Sequence, residues 1–161
     1  MEKQLRLDEV NEKGGTIYIA KIKLSVIREN TSSKRTQIGS PEDVARLGFI
    51  QSELVSSDRE KFMCIHLNIK HVVLSYEIVS IGSLNSSVVH PRELLKGALL
   101  ANAAAIIVSH NHPSGSPEPS PEDIAVTKRL VEAGSIIGIP ILDHLIFGDQ
   151  GFVSLKERGL M

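Results

Sequence analysis

The stretch Ala103-Ala104-Ala105-Ile106-Ile107-Val108-Ser109-His110-Asn111-His112-Pro113-Ser114-Gly115-Ser116-Pro117-Glu118-Pro119-Ser120-Pro121-Glu122-Asp123 places three kinds of local structure end to end. Its opening, Ala103 to Val108, is short, apolar and rich in β-branched residues, the composition of a strand buried on both faces. His110 and His112 follow at its exit. In an extended chain residues i and i+2 point to the same side, so the two imidazoles can reach one ion. Three prolines and Gly115 then make a turn-rich loop, which ends in Ser120-Pro121-Glu122-Asp123. That tetrad predicts a helix start: serine caps, proline is tolerated at the first helical position, and the carboxylate at the third can reach back to the cap.

Working outward, the helix predicted from Asp123 to about Ile137 is followed by a strand over Ile139 to Phe147, a turn at Gly148-Asp149-Gln150-Gly151, and a closing strand from Phe152 to Leu155. Upstream, Pro91 and Arg92-Glu93 open a helix with Leu94, Leu95, Ala98 and Leu99 on one face. Residues 60–67 and 71–79 flank Asn68-Ile69-Lys70 with the spacing of a β-hairpin. Ser40-Pro41-Glu42-Asp43 repeats the tetrad and caps a helix predicted to run to about Val55, with a break over Ser56 to Arg59. Before it, Thr16 to Ile27 alternates apolar residues with one change of phase, as in a long strand with a bulge, and Asn30 to Gln37 is a hydrophilic loop. Strands alternating with helices predict a mixed α/β sandwich of the α+β type. We divide the chain into residues 1–37, an extension carrying an edge strand, and residues 38–161, the domain holding the histidines.

The chain has 161 residues, room for one sizeable core. Lys and Arg total 18 against 19 Asp and Glu, a net charge of −1, which argues against a protein that coats nucleic acid, and Arg28, Lys34 and Arg35 are too few for a basic patch. The single cysteine, Cys64, lies in an apolar run and reads as a small buried hydrophobe. The charged N-terminus and the lack of an apolar run of membrane-spanning length predict neither a signal peptide nor a membrane span, and place the protein in the cytoplasm.

Two neutral imidazoles and a carboxylate are a common catalytic zinc set that leaves a fourth position to water, and hydrolysis is the chemistry such a site favours. Each part has a plainer explanation. A strand-end histidine often only bonds a backbone carbonyl, and Asp123 alone would be a capping-box residue, as Asp43 is. The conjunction of parts is what singles the site out.

The spacing His110-x-His112, seven residues, Ser120, two residues, Asp123 resembles the JAMM motif of the MPN+ metallopeptidases. The wording HNHPSG, PSPEDI, Thr127-Lys128-Arg129-Leu130 and Asp143-His144-Leu145-Ile146 is similar to the bacterial RadC-like JAB domain proteins, over roughly residues 40–161. The resemblance implies an MPN/JAB-like, cytidine-deaminase-like mixed sheet flanked by helices. It implies a zinc-dependent hydrolase of amide bonds, acting on a peptide or protein, in which His110, His112 and Asp123 hold Zn2+ and Ser120 stabilises the oxyanion. An upstream glutamate serves this family as general base; Glu60, whose Asp-Arg-Glu-x-Phe setting resembles the family's base position, and Glu77 are the candidates. Asp143-His144 reads as either a carboxylate–histidine contact behind the metal or a strand-end polar cluster. Full-length RadC-like proteins carry a helix-hairpin-helix domain in front, for which residues 1–37 leave no room. The competing expectation is a non-catalytic module, associated with DNA repair, that keeps a zinc site for structure.

Overall fold

The computed structural model describes residues 36–82 and 89–161. The strand expected over Thr16 to Ile27 lies outside these residues, as does all but the end of the loop expected over Asn30 to Gln37, where Gln37 forms an isolated bridge with Val72. Five strands, β1 (Lys61–Leu67), β2 (Val73–Ile81), β3 (Ala105–Asn111), β4 (Ile141–Gly148) and β5 (Gly151–Ser154), form one sheet in the order β2-β1-β3-β4-β5. β1 pairs antiparallel with β2 and β3, β4 lies parallel to β3, and β5 turns back on β4. Every residue of the central β3 is buried, as its unbroken apolar run predicts.

Helices cover both faces. α1 (Pro41–Ala45) and α2 (Gly48–Ile50), the latter continuing as a π-helical turn over Gln51–Val55, pack Val44, Leu47, Ile50 and Leu54 against Met63, Ile65, Leu67, Ile107 and Leu145. α3 (Pro91–Leu100) and α4 (Pro121–Ile137) pack Leu94, Leu95, Ala98 and Leu130 against Phe62, Cys64, Ile106 and Val108 on the other face. No helix among the described residues is long and apolar enough to cross a membrane.

Two details depart from expectation. The helix foreseen from Ser40 to Val55 is broken, because Leu47 turns extended at φ −65° and ψ 129° and drops its side chain into the core before Gly48 restarts the helix. Leu99 is 55 % exposed, so the apolar stripe of α3 is Leu94, Leu95 and Ala98 only.

β3 and β4 run out of step by one residue: Ile106 pairs with Ile141, but Val108 pairs with His144. The extra residue on β4 reverses its alternation, so that His144 rather than Asp143 shares the face of Val108 and His110.

Candidate metal centre

His110 lies near the end of β3 and is fully buried; His112 lies just beyond it, and Asp123 is the third residue of α4. Their ligand atoms all lie within 4.8 Å of one another. The loop between them returns because Gly115 adopts φ +86° and because Gly148 has no side chain: a Cβ there would strike the Gly115 carbonyl and come within 2.7 Å of Pro117 N. The returning loop delivers the Ser116 carbonyl to His112 Nδ1 at 2.8 Å.

The hydrogen bonds fix which imidazole nitrogens carry protons. Thr127 Oγ1 lies 2.6 Å from the main-chain carbonyl of Asp123, which can only accept, so the hydroxyl proton goes there. His144 Nδ1, 2.6 Å from the same hydroxyl, must then donate to it. Complete burial holds the His144 pKa well below its usual value, so the ring is neutral and its Nε2 is bare. That Nε2 accepts from His110 Nδ1 at 2.8 Å, which leaves His110 Nε2 with a lone pair. His112 donates from Nδ1 to Ser116 and likewise presents a bare Nε2.

The two bare Nε2 atoms stand 2.9 Å apart. Asp123 Oδ1 lies 3.3 Å from His110 Nε2, is buried and has no hydrogen-bond donor. Asp123 Oδ2, 3.4 Å from His112 Nε2, accepts from Ser120 N at 2.7 Å and from Ser120 Oγ at 2.6 Å. Three bases thus converge with no proton of their own between them, which is the chemistry of a cation site. A proton can stand in for the metal: burial opposes ionisation of Asp123, but its bonds with His110 and His112 pull its pKa far below the usual carboxylate range. The same bond to Asp123 raises the pKa of His112. His110, His112 and Asp123 therefore fit a metal ion.

Asp143 is not the partner of His144. Its carboxylate accepts from His144 N at 2.7 Å, Ser154 Oγ at 2.7 Å and Lys156 N at 3.2 Å, bracing the bulge and the end of β5. The hydroxyl of Thr127 takes the place expected for a carboxylate behind the histidine. Phe62 completes the packing, stacked on His110 at 5.9 Å and edge-on to His144 at 5.4 Å.

The two candidate glutamates part company. The ladder of β1 with β3 ends where Phe62 pairs with His110; Glu60, two residues before Phe62, lies close enough to His112 for its charge to favour the imidazolium. Glu77 pairs with Cys64, and its carboxylate lies 3.7 Å from His66 Nε2 and against Gly97 of α3, away from the three ligands. Burial, chiefly, and the charge of Glu77 push the Cys64 thiol upward, so it stays protonated. Beside His112, a cleft of about 290 Å³ opens between the 55–58 segment and the Phe147–Asp149 turn.

Residues 38–160 match the family model described as the RadC-like JAB domain. The chain belongs to the RadC-like JAB domain family. The mixed five-stranded sheet with helices on both faces is the α+β fold consistent with a JAB/MPN domain. Curated relatives include a UPF0758 protein of Desulforamulus reducens, 57 % identical over 127 residues, which is 79 % of this chain and 55 % of that protein. A UPF0758 protein of Moorella thermoacetica is 58 % identical with the same coverage. One from Shouchella clausii is 46 % identical over 160 residues, 95 % of this chain and 69 % of that protein. The chain spans about half the length of the first two relatives.

Proposed function

We propose that this RadC-like JAB domain is a zinc-dependent hydrolase of amide bonds, peptide or isopeptide, with His110, His112 and Asp123 as the metal ligands. The observation that carries this is the convergence of two bare imidazole nitrogens and the donorless Asp123 Oδ1, with the charge of Glu60 near His112. Zinc bound there would polarise the substrate carbonyl and acidify a water molecule. Glu60 would accept the proton of the attacking water and return it to the leaving amine. Ser120 carries the hydroxyl for the oxyanion; it donates to Asp123 Oδ2 and would serve the substrate by turning about χ1. The neutral His144 and Thr127 hold His110 in the tautomer that binds.

Metal analysis of protein purified without chelator, followed by a panel of peptide and isopeptide substrates, tests this. Glu60→Gln should retain metal and lower turnover by roughly two to four orders of magnitude, while Glu77→Gln leaves it unchanged. A zinc-loaded protein indifferent to both changes would end the hydrolase assignment.

A further inference from the structure

Asn111 lies between the two imidazoles in sequence, yet its side chain leaves from the opposite face of β3 and is only 4 % exposed. There its amide grips the lead-in to β1. Nδ2 donates to the carbonyls of Arg59 at 3.0 Å and Ser57 at 3.4 Å, and Oδ1 accepts from Lys61 N–H at 2.8 Å. From the other side, Gly82 N–H donates to the Glu60 carbonyl at 2.9 Å. Both peptide groups that flank Glu60 are therefore tied, the Arg59–Glu60 peptide through its carbonyl and the Glu60–Lys61 peptide at both ends. The backbone ladder between β1 and β3 stops at Phe62 and His110, and His112 N–H is spent on Phe147 of β4 at 2.9 Å. Asn111 supplies the rung that the main chain no longer provides.

We propose that Asn111 is the positioning residue for Glu60. It fastens the main chain that carries the Glu60 carboxylate to the same strand that carries His110 and His112, so base and metal ligands keep one spacing. The task requires a donor and an acceptor on one short planar group: aspartate lacks the donor, serine lacks the reach, and leucine lacks both. A buried amide is tolerated here because all of these bonds are made. The inference rests on the hydrolase reading for the role of Glu60, but the tether itself does not.

The test uses the cobalt(II)-loaded 161-residue chain carrying Asn111→Ala, Asn111→Asp, Glu60→Gln, or Asn111→Ala with Glu60→Gln. Metal content, the pH midpoint of the cobalt visible spectrum, and hydrogen exchange at the Lys61 amide are measured. Asn111→Ala should keep about one metal per chain and speed Lys61 exchange by roughly tenfold or more. Its spectral midpoint should move from the wild-type value toward that of Glu60→Gln, and the double variant should move no further than Glu60→Gln alone. Asn111→Asp, which keeps only the acceptor, should fall between and serves as the comparison if the alanine variant fails to fold. A wild-type midpoint in the Asn111 variants while Glu60→Gln shifts, or a fully additive double variant, overturns the proposal. If Glu60→Gln itself leaves the midpoint unmoved, the base role of Glu60 fails, and exchange decides the tether: rapid exchange at Lys61 supports it and unchanged protection overturns it.

Discussion

Two helices in this chain begin with the same four residues, Ser-Pro-Glu-Asp, at 40–43 and at 120–123, and in both the aspartate reaches back to the main-chain N–H of its serine. There the likeness ends. Asp43 keeps 34 % of its side chain exposed, accepts from Gly39 and Ser40 N–H, and has Arg46 at 3.9 Å on its outer side. Asp123 is fully buried and faces two imidazoles, Oδ1 toward His110 and Oδ2 toward His112. Four residues on, α1 is followed by Leu47, which drops into the core, whereas α4 offers Thr127, which is buried against His144. The tetrad specifies a helix start in both places; the strand end that faces the helix decides whether its carboxylate only caps or also joins a group that could hold a metal.

The largest effect that would break this contrast is on metal. Asp123→Ala should weaken metal binding by more than the roughly 100-fold ceiling seen when a residue that only orients a ligand is removed, and Asp43→Ala should leave it unchanged. Chelator competition measures both. Equal losses would mean that Asp123 is only a cap.

Thr127 sharpens the comparison from the fourth position. Thr127→Val keeps the shape but leaves the buried His144 Nδ1–H without an acceptor, so the ring can swap tautomers and no longer holds His110. Metal affinity should fall by roughly 10- to 100-fold, and stability by about 1–3 kcal/mol, read by chelator competition and by denaturant melts. Unchanged affinity would show that the relay packs the core without setting the tautomer.

These effects also mark what could be read in advance. His110, His112 and Asp123 were legible because their relation is local: a two-residue step on a strand and a capping geometry on a helix. Among the described residues, the strands, the hairpin and α4 were legible for the same reason, through period and turn residues. His144 and Thr127 were not assigned a joint role, because their contact depends on parallel pairing of β3 with β4 and on the extra residue in β4, which a run of apolar residues does not disclose. The same bulge explains why the Asp143 carboxylate bonds the main-chain N–H of His144 and not its ring, which leaves the strand-end polar cluster as the reading that holds. Asn111 escaped notice because strand alternation points it away from its neighbours, toward a segment 50 residues earlier in the chain. The break after Ala45 had a local signal in Gly48, a poor helix former, but an isolated glycine is tolerated in a helix, and the burial of Leu47 that decides the break is not local.

A smaller effect, on the metal side of the comparison, comes from pH. The carboxylate of Asp123 stabilises protonated His112, so in metal-free protein the pKa of that histidine lies above the usual 6.5. This proton strengthens the metal-free fold at pH below the unfolded value, and the benefit is lost as pH rises through the raised one. Metal must displace the proton, so affinity should decline by about tenfold per pH unit below the raised pKa and level off above it. The rise in Tm on adding zinc should accordingly be larger at pH 8 than at pH 6; an equal rise at both would mean that no proton leaves His112 on binding.

The smallest effect belongs to the other tetrad and isolates the cap from the ligand. Asp43 is a cap at the head of a five-residue helix, and backbone bonds from Gly39 and then Ser40 hold its pKa below the usual 3.8. A lowered pKa stabilises the fold at pH above the ordinary value, and the contribution disappears as pH falls through the lowered one. Asp43→Ala should therefore lower Tm by roughly 2–4 °C at neutral pH, with metal content unchanged. As the medium is acidified the wild-type carboxylate becomes protonated and loses its advantage, so the two melting curves should draw together. Asp123 cannot be examined in this simple way, since its protonation also removes a ligand; a gap between wild type and Asp43→Ala that persists at low pH would show that the aspartate stabilises α1 through packing or through Arg46, and that the charge on the cap contributes little.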